Sequence, residues 1–299
     1  MAGRRDEATS SNRFIEEQLD KCLQDIGNHL DSDLITIVAP MFSGIDEMVR
    51  DQVEFIAEDH QRKSKLAVFL VTEGGSIEVV ERIAEMFRHH YPEDVAFYIP
   101  SFAMSAGTVL AMSGNSIHMD YFSVLGPIDP QVRRSSSENY VPALGYLEKY
   151  DEFIEKSSRG ELTQAEVMFF LQKFDPAELH TFEQARSLSE ELLKRWLVRY
   201  KFSNWTVTQT TNIPVTDEMK EERAAEIASK LNDVKRWKTH SRALTRQVIE
   251  HELNLLIDDF GVDGELSKLI RTYYRLLQDY MLRMGQSVVV HVPNAYEGM

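Results

Sequence analysis

The strongest constraint on the fold is an alternation of apolar, β-branched runs with amphipathic stretches across residues 34–128. The runs Leu34–Ala39 and Leu66–Thr72 predict buried strands, and the spacing of apolar residues in Ile77–His90 predicts a helix packed against them. Strands separated by helices form right-handed crossovers and a mostly parallel sheet covered on both faces. This part is therefore predicted to be an α/β structure of repeated ββα and βαβ units.

The rest of the chain has a different pattern and is predicted to be a largely helical carboxyl-terminal half. Asp175 followed by Pro176 indicates a helix start, because Asp caps a helix and Pro fits its first position. The segment Val132–Tyr140, rich in Arg and Ser, predicts a mobile loop. Phe14–Leu30 predicts an amphipathic arm. We expect this arm and the helical half to make subunit contacts.

Composition excludes several classes of protein. The net charge of −15 argues against nonspecific nucleic-acid binding, because phosphate contacts need clustered Lys and Arg. No run approaches the roughly 18 to 20 apolar residues of a membrane span, and the amino terminus lacks the apolar centre of a signal peptide. The single cysteine, Cys22, excludes an intrachain disulfide. The expected location is the cytoplasm.

Two small-residue segments follow two of the predicted strands, where ligands gather in parallel sheets. Gly74 and Gly75 can point backbone amides into a site, and Ser105 opens a short apolar helix. Each segment alone also fits an ordinary turn or close packing of a helix on the sheet. Together they predict a nucleophile, Ser105, and an oxyanion hole made by the amide of Ala106 and that of Gly74 or Gly75.

Three motifs carry a resemblance to a known superfamily: Thr72–Ser76 (TEGGS), Ser101–Thr108 (SFAMSAGT) and Ser123–Gln131 (SVLGPIDPQ). They are similar to the Clp protease–crotonase superfamily, and most resemble the serine dehydrogenase proteinases of its signal-peptide-peptidase-like branch. The resemblance covers residues 33–260 and implies a serine peptidase of that fold. It implies three regions: a tail and amphipathic helix (1–32), the peptidase domain (33–260) and a helix and strand extension (261–299).

Two positions depart from the superfamily pattern. Glu73 stands where a proline usually precedes the glycine pair, so the oxyanion hole is expected to differ in shape or charge. Gly126 stands where the Clp proteases have their histidine, and glycine cannot act as a base. The signal-peptide-peptidase-like branch generally uses a lysine from farther along the chain.

The proton acceptor for Ser105 is therefore sought among later residues. His180 lies in the first turns of the helix begun by Asp175 and Pro176, where the helix dipole favours neutral imidazole. Lys156 is a second candidate, within reach for a dyad, and His240 is a third. Each also fits a surface or turn-stabilising role, so the base stays open.

The expected function is a cytoplasmic serine endopeptidase that forms a homo-oligomer, acts on peptide or protein substrates and needs no cofactor or metal. A partner ATPase or regulatory protein is left open, since superfamily members assemble into rings that restrict access. Two alternatives remain: a catalytically silent scaffold that lost its base, and, more remotely, a crotonase-type acyl-CoA enzyme. The second needs a phosphate site, and the sequence indicates no basic cluster near the strand ends.

Overall fold

A computed structural model describes residues 10–128, 131–133, 140–208 and 211–299 as a mixed α/β protein. The strands are β1 (Asp33–Val38), β2 (Lys65–Val71), β3 (Asp94–Ile99), β4 (Phe102–Ala103), β5 (Ser116–Met119), β6 (Val124–Leu125), β7 (Gln131–Arg133), β8 (Tyr140–Pro142), β9 (Leu244–Thr245), β10 (Asp258–Asp259), β11 (Val289–Val292) and β12 (Ala295–Gly298). The helices are α1 (Ser10–Leu30), α2 (Ile45–Ala57), α3 (Ile77–His90), α4 (Ala106–Ala111), α5 (Ala143–Ser158), α6 (Gln164–Lys173), α7 (Pro176–Trp196) with a π-helical turn at Leu197–Lys201, α8 (Asp217–Leu231), α9 (Val234–Trp237), α10 (Arg246–Leu253) and α11 (Gly264–Met284).

The main sheet has seven strands in the order β10-β5-β3-β2-β1-β11-β12. The five strands from β10 to β1 run parallel, whereas β11 pairs antiparallel with β1 and β12 pairs antiparallel with β11. The runs are continuously apolar because helices cover both faces of the sheet, so neither face of these parallel strands contacts solvent. The predicted α/β fold class is confirmed, and the antiparallel edge is an addition at the carboxyl terminus.

A second, three-stranded sheet in the order β4-β6-β9 positions the predicted nucleophile. Strand β4 runs parallel to β6, and β9 returns antiparallel to β6 from more than a hundred residues farther along the chain. An isolated bridge joins Thr72, just after β2, to Ala103 in β4. The small sheet therefore holds the segment entering Ser105 against the carboxyl end of β2.

The amino-terminal helix packs within its own chain. Its apolar side chains Leu19, Leu23 and Ile26 are fully buried in a core shared with α11 and one face of the main sheet. The apolar face of this helix therefore covers the sheet, and the expectation that the helix makes subunit contacts stays a prediction. The other face carries a larger core, which includes residues of α2, α3, α4, α7 and α8.

Two further expectations meet the structure only in part. The segment Val132–Tyr140 was expected to be a loop, but its described ends form the antiparallel pair β7–β8, and residues 134–139 lie outside the described part. The extension 261–299 contributes α11 to a core and β11 to the main sheet. The three-part division of the chain stays a prediction.

A buried hydrogen-bonded chain joins α1, β1, α11 and β11. His291, with no exposed surface, places Nε2 3.0 Å from Asp20 Oδ1 and Nδ1 2.9 Å from the Tyr273 hydroxyl. That hydroxyl lies 2.9 Å from Thr36 Oγ1. Burial lowers the pKa of His291 more than the nearby Asp20 carboxylate raises it. Burial therefore disfavours the protonated imidazole in the folded chain.

Stability is expected to fall in mild acid because of this histidine. The pKa of His291 is lowered in the folded chain, so the unfolded chain binds a proton at higher pH than the folded chain does. The free energy of unfolding therefore falls as the pH falls below about 6.5. The slope is at most about 1.4 kcal/mol per pH unit. Urea unfolding between about pH 5 and pH 7 should show this slope in the native chain and a shallower one in His291→Gln. The exposed His89, changed to Gln, is the matched control. Equal slopes in all three chains would contradict the assignment.

Candidate active site

Ser105 occupies a sharp turn between β4 and α4. Its backbone has φ +52° and ψ −121°, a region that costs a residue with a side chain about 1–3 kcal/mol. A serine nucleophile at a strained strand-to-helix turn is the arrangement that several hydrolases use to present the hydroxyl at the end of a sheet. Ser105 is 6% exposed, and its hydroxyl makes no hydrogen bond within the described part of the chain.

Hydrogen bonds on both sides of Ser105 hold the turn in this conformation. Met104 N donates to Thr72 O at 2.9 Å, and Gly107 N donates to Met104 O at 2.8 Å. The Thr108 hydroxyl lies 2.8 Å from Ala103 O and accepts a hydrogen bond from Gly126 N at 3.0 Å. The sequence analysis missed Thr108, which joins β4, α4 and the segment after β6 through one buried hydroxyl.

The glycine pair approaches Ser105 so closely that no side chain fits. A Cβ on Gly74, where φ is +97°, would lie 2.7 Å from Met104 O and 2.8 Å from Ser105 Cβ. A Cβ on Gly75, where φ is +145°, would lie 2.2 Å from Met41 O. Both the positive φ and the contacts therefore require glycine, which brings bare backbone against Ser105.

The three candidate donor amides are not equivalent. Gly74 N donates to Thr72 Oγ1 at 3.0 Å, so this amide already has an acceptor. Met41 bonds to the residues on either side of Gly75, through Gly74 O and Ser76 N, which turns the Gly75 N–H away from Met41. Ala106 is the first residue of α4 and has no acceptor within that helix. Of the three candidates, Gly75 N and Ala106 N donate to no acceptor among the described residues.

The position of the superfamily histidine is closed by packing. A Cβ on Gly126 would lie 2.7 Å from Met104 Cε and 3.0 Å from Met104 Sδ. Met104, directly before Ser105, therefore fills the space that a longer side chain at position 126 would need. The sequence shows that position 126 lacks a histidine but not that Met104 fills the space there. Met104 and Gly126 are brought together only by the pairing of β4 with β6.

The base candidates lie on three separate elements. Lys156, on α5, places Nζ 3.2 Å from Glu166 and 3.4 Å from Glu152. The hydrogen bond to Glu166 is the main cause that raises the pKa of Lys156. His180 is exposed on the second turn of α7, and His240 is half-buried in the turn after Trp237. Within the described residues, none of the three forms a hydrogen bond with Ser105.

Two further features of the site and its surroundings bear on the chemistry. Glu73 is exposed beside the glycine pair, and its carboxylate has no ion pair within the described part of the chain.

In that same part, no three His, Cys, Asp or Glu side chains are grouped so that they could hold a metal ion. None of the helices in the described ranges has the length and hydropathy needed to cross a membrane.

The fold is mixed α/β, with a strained serine turn beside a glycine pair, and comparison with known families is more specific. Residues 26–155 match the family described as ClpP-like SDH-type serine proteinase. The match runs from α1 into α5 and includes the glycine pair, Ser105 and Gly126. The resemblance predicted from the three motifs is thereby confirmed for this part of the chain.

The chain is also similar to two uncharacterized proteins of Methanocaldococcus jannaschii. One is 25% identical over 134 residues, which are 42% of this chain and 46% of the relative. The other is 27% identical over 226 residues, which are 75% of this chain and 60% of the relative. The matched parts are thus less than two thirds of either relative.

Among solved structures, a mutant of the membrane-bound stomatin-specific protease 1510-N matches over 64% of this chain and 74% of its own. The sequence identity is 16% and the TM-score 0.32, a similarity too low to support a conclusion about this chain.

Proposed function

We propose that this protein is a serine endopeptidase that cleaves peptide bonds through an acyl-enzyme on Ser105. The observation that carries the proposal is the juxtaposition of a strained, buried serine turn with two unbonded backbone amides, Gly75 N and Ala106 N. The match to a serine proteinase family supports the reaction class.

In the proposed reaction, Ser105 Oγ attacks the carbonyl carbon of the scissile peptide while its proton passes to the base. The oxyanion that forms receives hydrogen bonds from Gly75 N and Ala106 N. The Gly74 amide already donates to Thr72 Oγ1 and is not available to the oxyanion. The contribution of Gly74 to the oxyanion hole is its close approach to Ser105. The base then protonates the leaving amine, and water releases the acyl group by the reverse sequence.

The base is proposed to be His180 or Lys156, with His240 as the third candidate. Catalytic hydrogen bonds are often long in unliganded enzymes and tighten only when substrate binds, so a base that reaches Ser105 in the substrate complex is compatible with this geometry. For Lys156, a neutral amine also requires that its pairs with Glu152 and Glu166 open.

Single variants are expected to identify the base. The true base, changed to Ala, should lose about 10²–10⁴ of the peptidase rate, while the other variant keeps most of it. If Lys156 acts, its raised pKa makes the rate increase well above neutral pH, and Glu166→Gln should move that increase to lower pH. The measurement is the pH dependence of kcat/KM for the native chain and the three variants. Full activity in both alanine variants would contradict both assignments.

We also propose that the enzyme works in the cytoplasm as a homo-oligomer on peptide or protein substrates, with a partner ATPase or regulatory protein left open. The exposed apolar side chains of α6 support subunit contacts: Met168, Phe169 and Leu171 are 57%, 53% and 74% exposed. The silent-scaffold alternative predicts the same fold without reactivity at Ser105, so a serine-reactive probe separates the two.

A further inference from the structure

A cavity of about 540 Å³ lies along one face of α11 and is lined by basic and hydroxyl side chains. Its seven lining residues are Gly261, Gly264, Ser267, Lys268, Arg271, Thr272 and Arg275. None is acidic, although the chain carries a net charge of −15. The sequence predicted no basic cluster near the strand ends. The fold makes one there, because residues spaced three or four apart share a helix face.

The three cations of the cavity have different surroundings. Arg271 forms an ion pair with Asp120, a buried residue directly after β5. The positive charge of Arg271 is therefore largely balanced by the Asp120 carboxylate. Lys268 and Arg275 are exposed and have no acidic partner within 4.0 Å among the described residues. These two side chains therefore supply uncompensated positive charge, and Ser267 and Thr272 add hydroxyl donors on the same face.

The cavity is placed where the sheet presents ligands. A Cβ on Gly261 would lie 3.4 Å from Asp120 Cβ, which puts one wall of the cavity at the carboxyl end of β5. Tyr121, which is 82% exposed, lies beside the cavity with its ring centroid 5.2 Å from the Arg271 guanidinium. The cavity is open to solvent, since Lys268, Thr272 and Arg275 are exposed, and its volume exceeds what a single phosphate fills.

We propose that this cavity is an anion site for a phosphate-bearing small molecule of nucleotide size. Lys268 and Arg275 bind the phosphate oxygens by charge-assisted hydrogen bonds, and Ser267 and Thr272 donate to the same group. Arg271, fixed by Asp120, orients the ligand, and the exposed Tyr121 ring offers a face for an aromatic base to stack on.

The site also has a structural route to the nucleophile. The Asp120 carboxylate that holds Arg271 accepts hydrogen bonds from Phe122 N and Ser123 N at 2.8 and 3.1 Å. Ser123 leads directly into β6, which pairs with β4 ahead of Ser105. A ligand at the cavity therefore touches the loop that supports the serine turn, although the binding proposal does not depend on peptidase activity.

Calorimetric titration of the full chain with ADP, pyrophosphate, inorganic phosphate and adenosine tests the proposal. ADP and pyrophosphate should bind, inorganic phosphate more weakly, and adenosine not measurably. The double variant Lys268→Ala with Arg275→Ala should raise the Kd at least about tenfold. Lys21→Ala with Arg242→Ala removes the same charge from exposed positions outside the cavity and should leave the Kd unchanged.

Three outcomes would overturn the proposal. The first is equal binding by the cavity variant and its control, which would make the effect one of net charge. The second is binding of adenosine as strong as that of ADP. The third is binding of an acidic peptide but of no small phosphate compound, which would assign the face to a protein partner. Native-like unfolding of both double variants in urea confirms that the comparison is made between folded chains.

Discussion

Replacement of Ser105 by alanine is expected to abolish covalent labelling by a fluorophosphonate and to lower peptide hydrolysis by at least about 10³-fold. The reason is that only the hydroxyl can form the bond to phosphorus or to the acyl carbon. The backbone amides remain in place and leave a small residual rate. The free energy of unfolding should change by less than about 1 kcal/mol, because the hydroxyl makes no hydrogen bond within the described chain. Intact-mass spectrometry after labelling measures the first effect.

The matched control is Ser101→Ala, four residues earlier, directly before β4, and half-buried. This variant should still be labelled at one site per chain. Labelling that persists in Ser105→Ala would place the reactive group elsewhere. A native chain that is not labelled, under conditions in which it is folded, would favour the silent scaffold over the peptidase.

The second large effect is expected from Gly75→Ala, which should reduce the rate of acylation by about 10²–10³-fold. A methyl group there would lie 2.2 Å from Met41 O, and alanine tolerates a φ of +145° poorly. The strand end must shift, and the Gly75 N–H moves away from the oxyanion. The rate of fluorophosphonate labelling reports the loss directly, since this reaction also forms an anionic oxygen.

Gly160→Ala provides the comparison for a glycine with positive φ outside the site. Gly160 has φ +67°, and no atom lies within 4 Å of a Cβ added there, so the substitution costs backbone strain alone. It should lower stability by about 1 kcal/mol and leave acylation unchanged. A Gly75→Ala chain that reacts at the native rate would remove Gly75 from the oxyanion hole.

Much of the amino-terminal half follows from local pattern. The runs that form β1 and β2 are apolar and β-branched, and α3 shows its helical period over the whole of Ile77–His90, so each of these elements was predicted within a residue or two. The serine turn and the glycine pair were also predictable, because a parallel sheet collects the residues that follow its strands at one edge.

The features that were not predicted depend on residues distant in sequence. The amphipathic pattern of α1 predicts an apolar face but does not indicate which surface that face covers. The structure gives that surface to α11 and the sheet. In the same way, three separated cations on α11 became a cavity only when Gly261 and Asp120 were brought beside them.

The fold class, the nucleophile candidate and the glycine at position 126 could all be predicted from the amino-acid sequence. These depend on period, residue type and chain order, which are local properties. The tertiary structure decided which amides are open to an oxyanion, because only strand pairing shows that Thr72 takes the Gly74 N–H and that Met41 leaves the Gly75 N–H unbonded. It also showed that Met104 fills the space beside Gly126. Hydrogen-bond partners and filled volume are properties of neighbours in space, and the order of residues along the chain does not specify them.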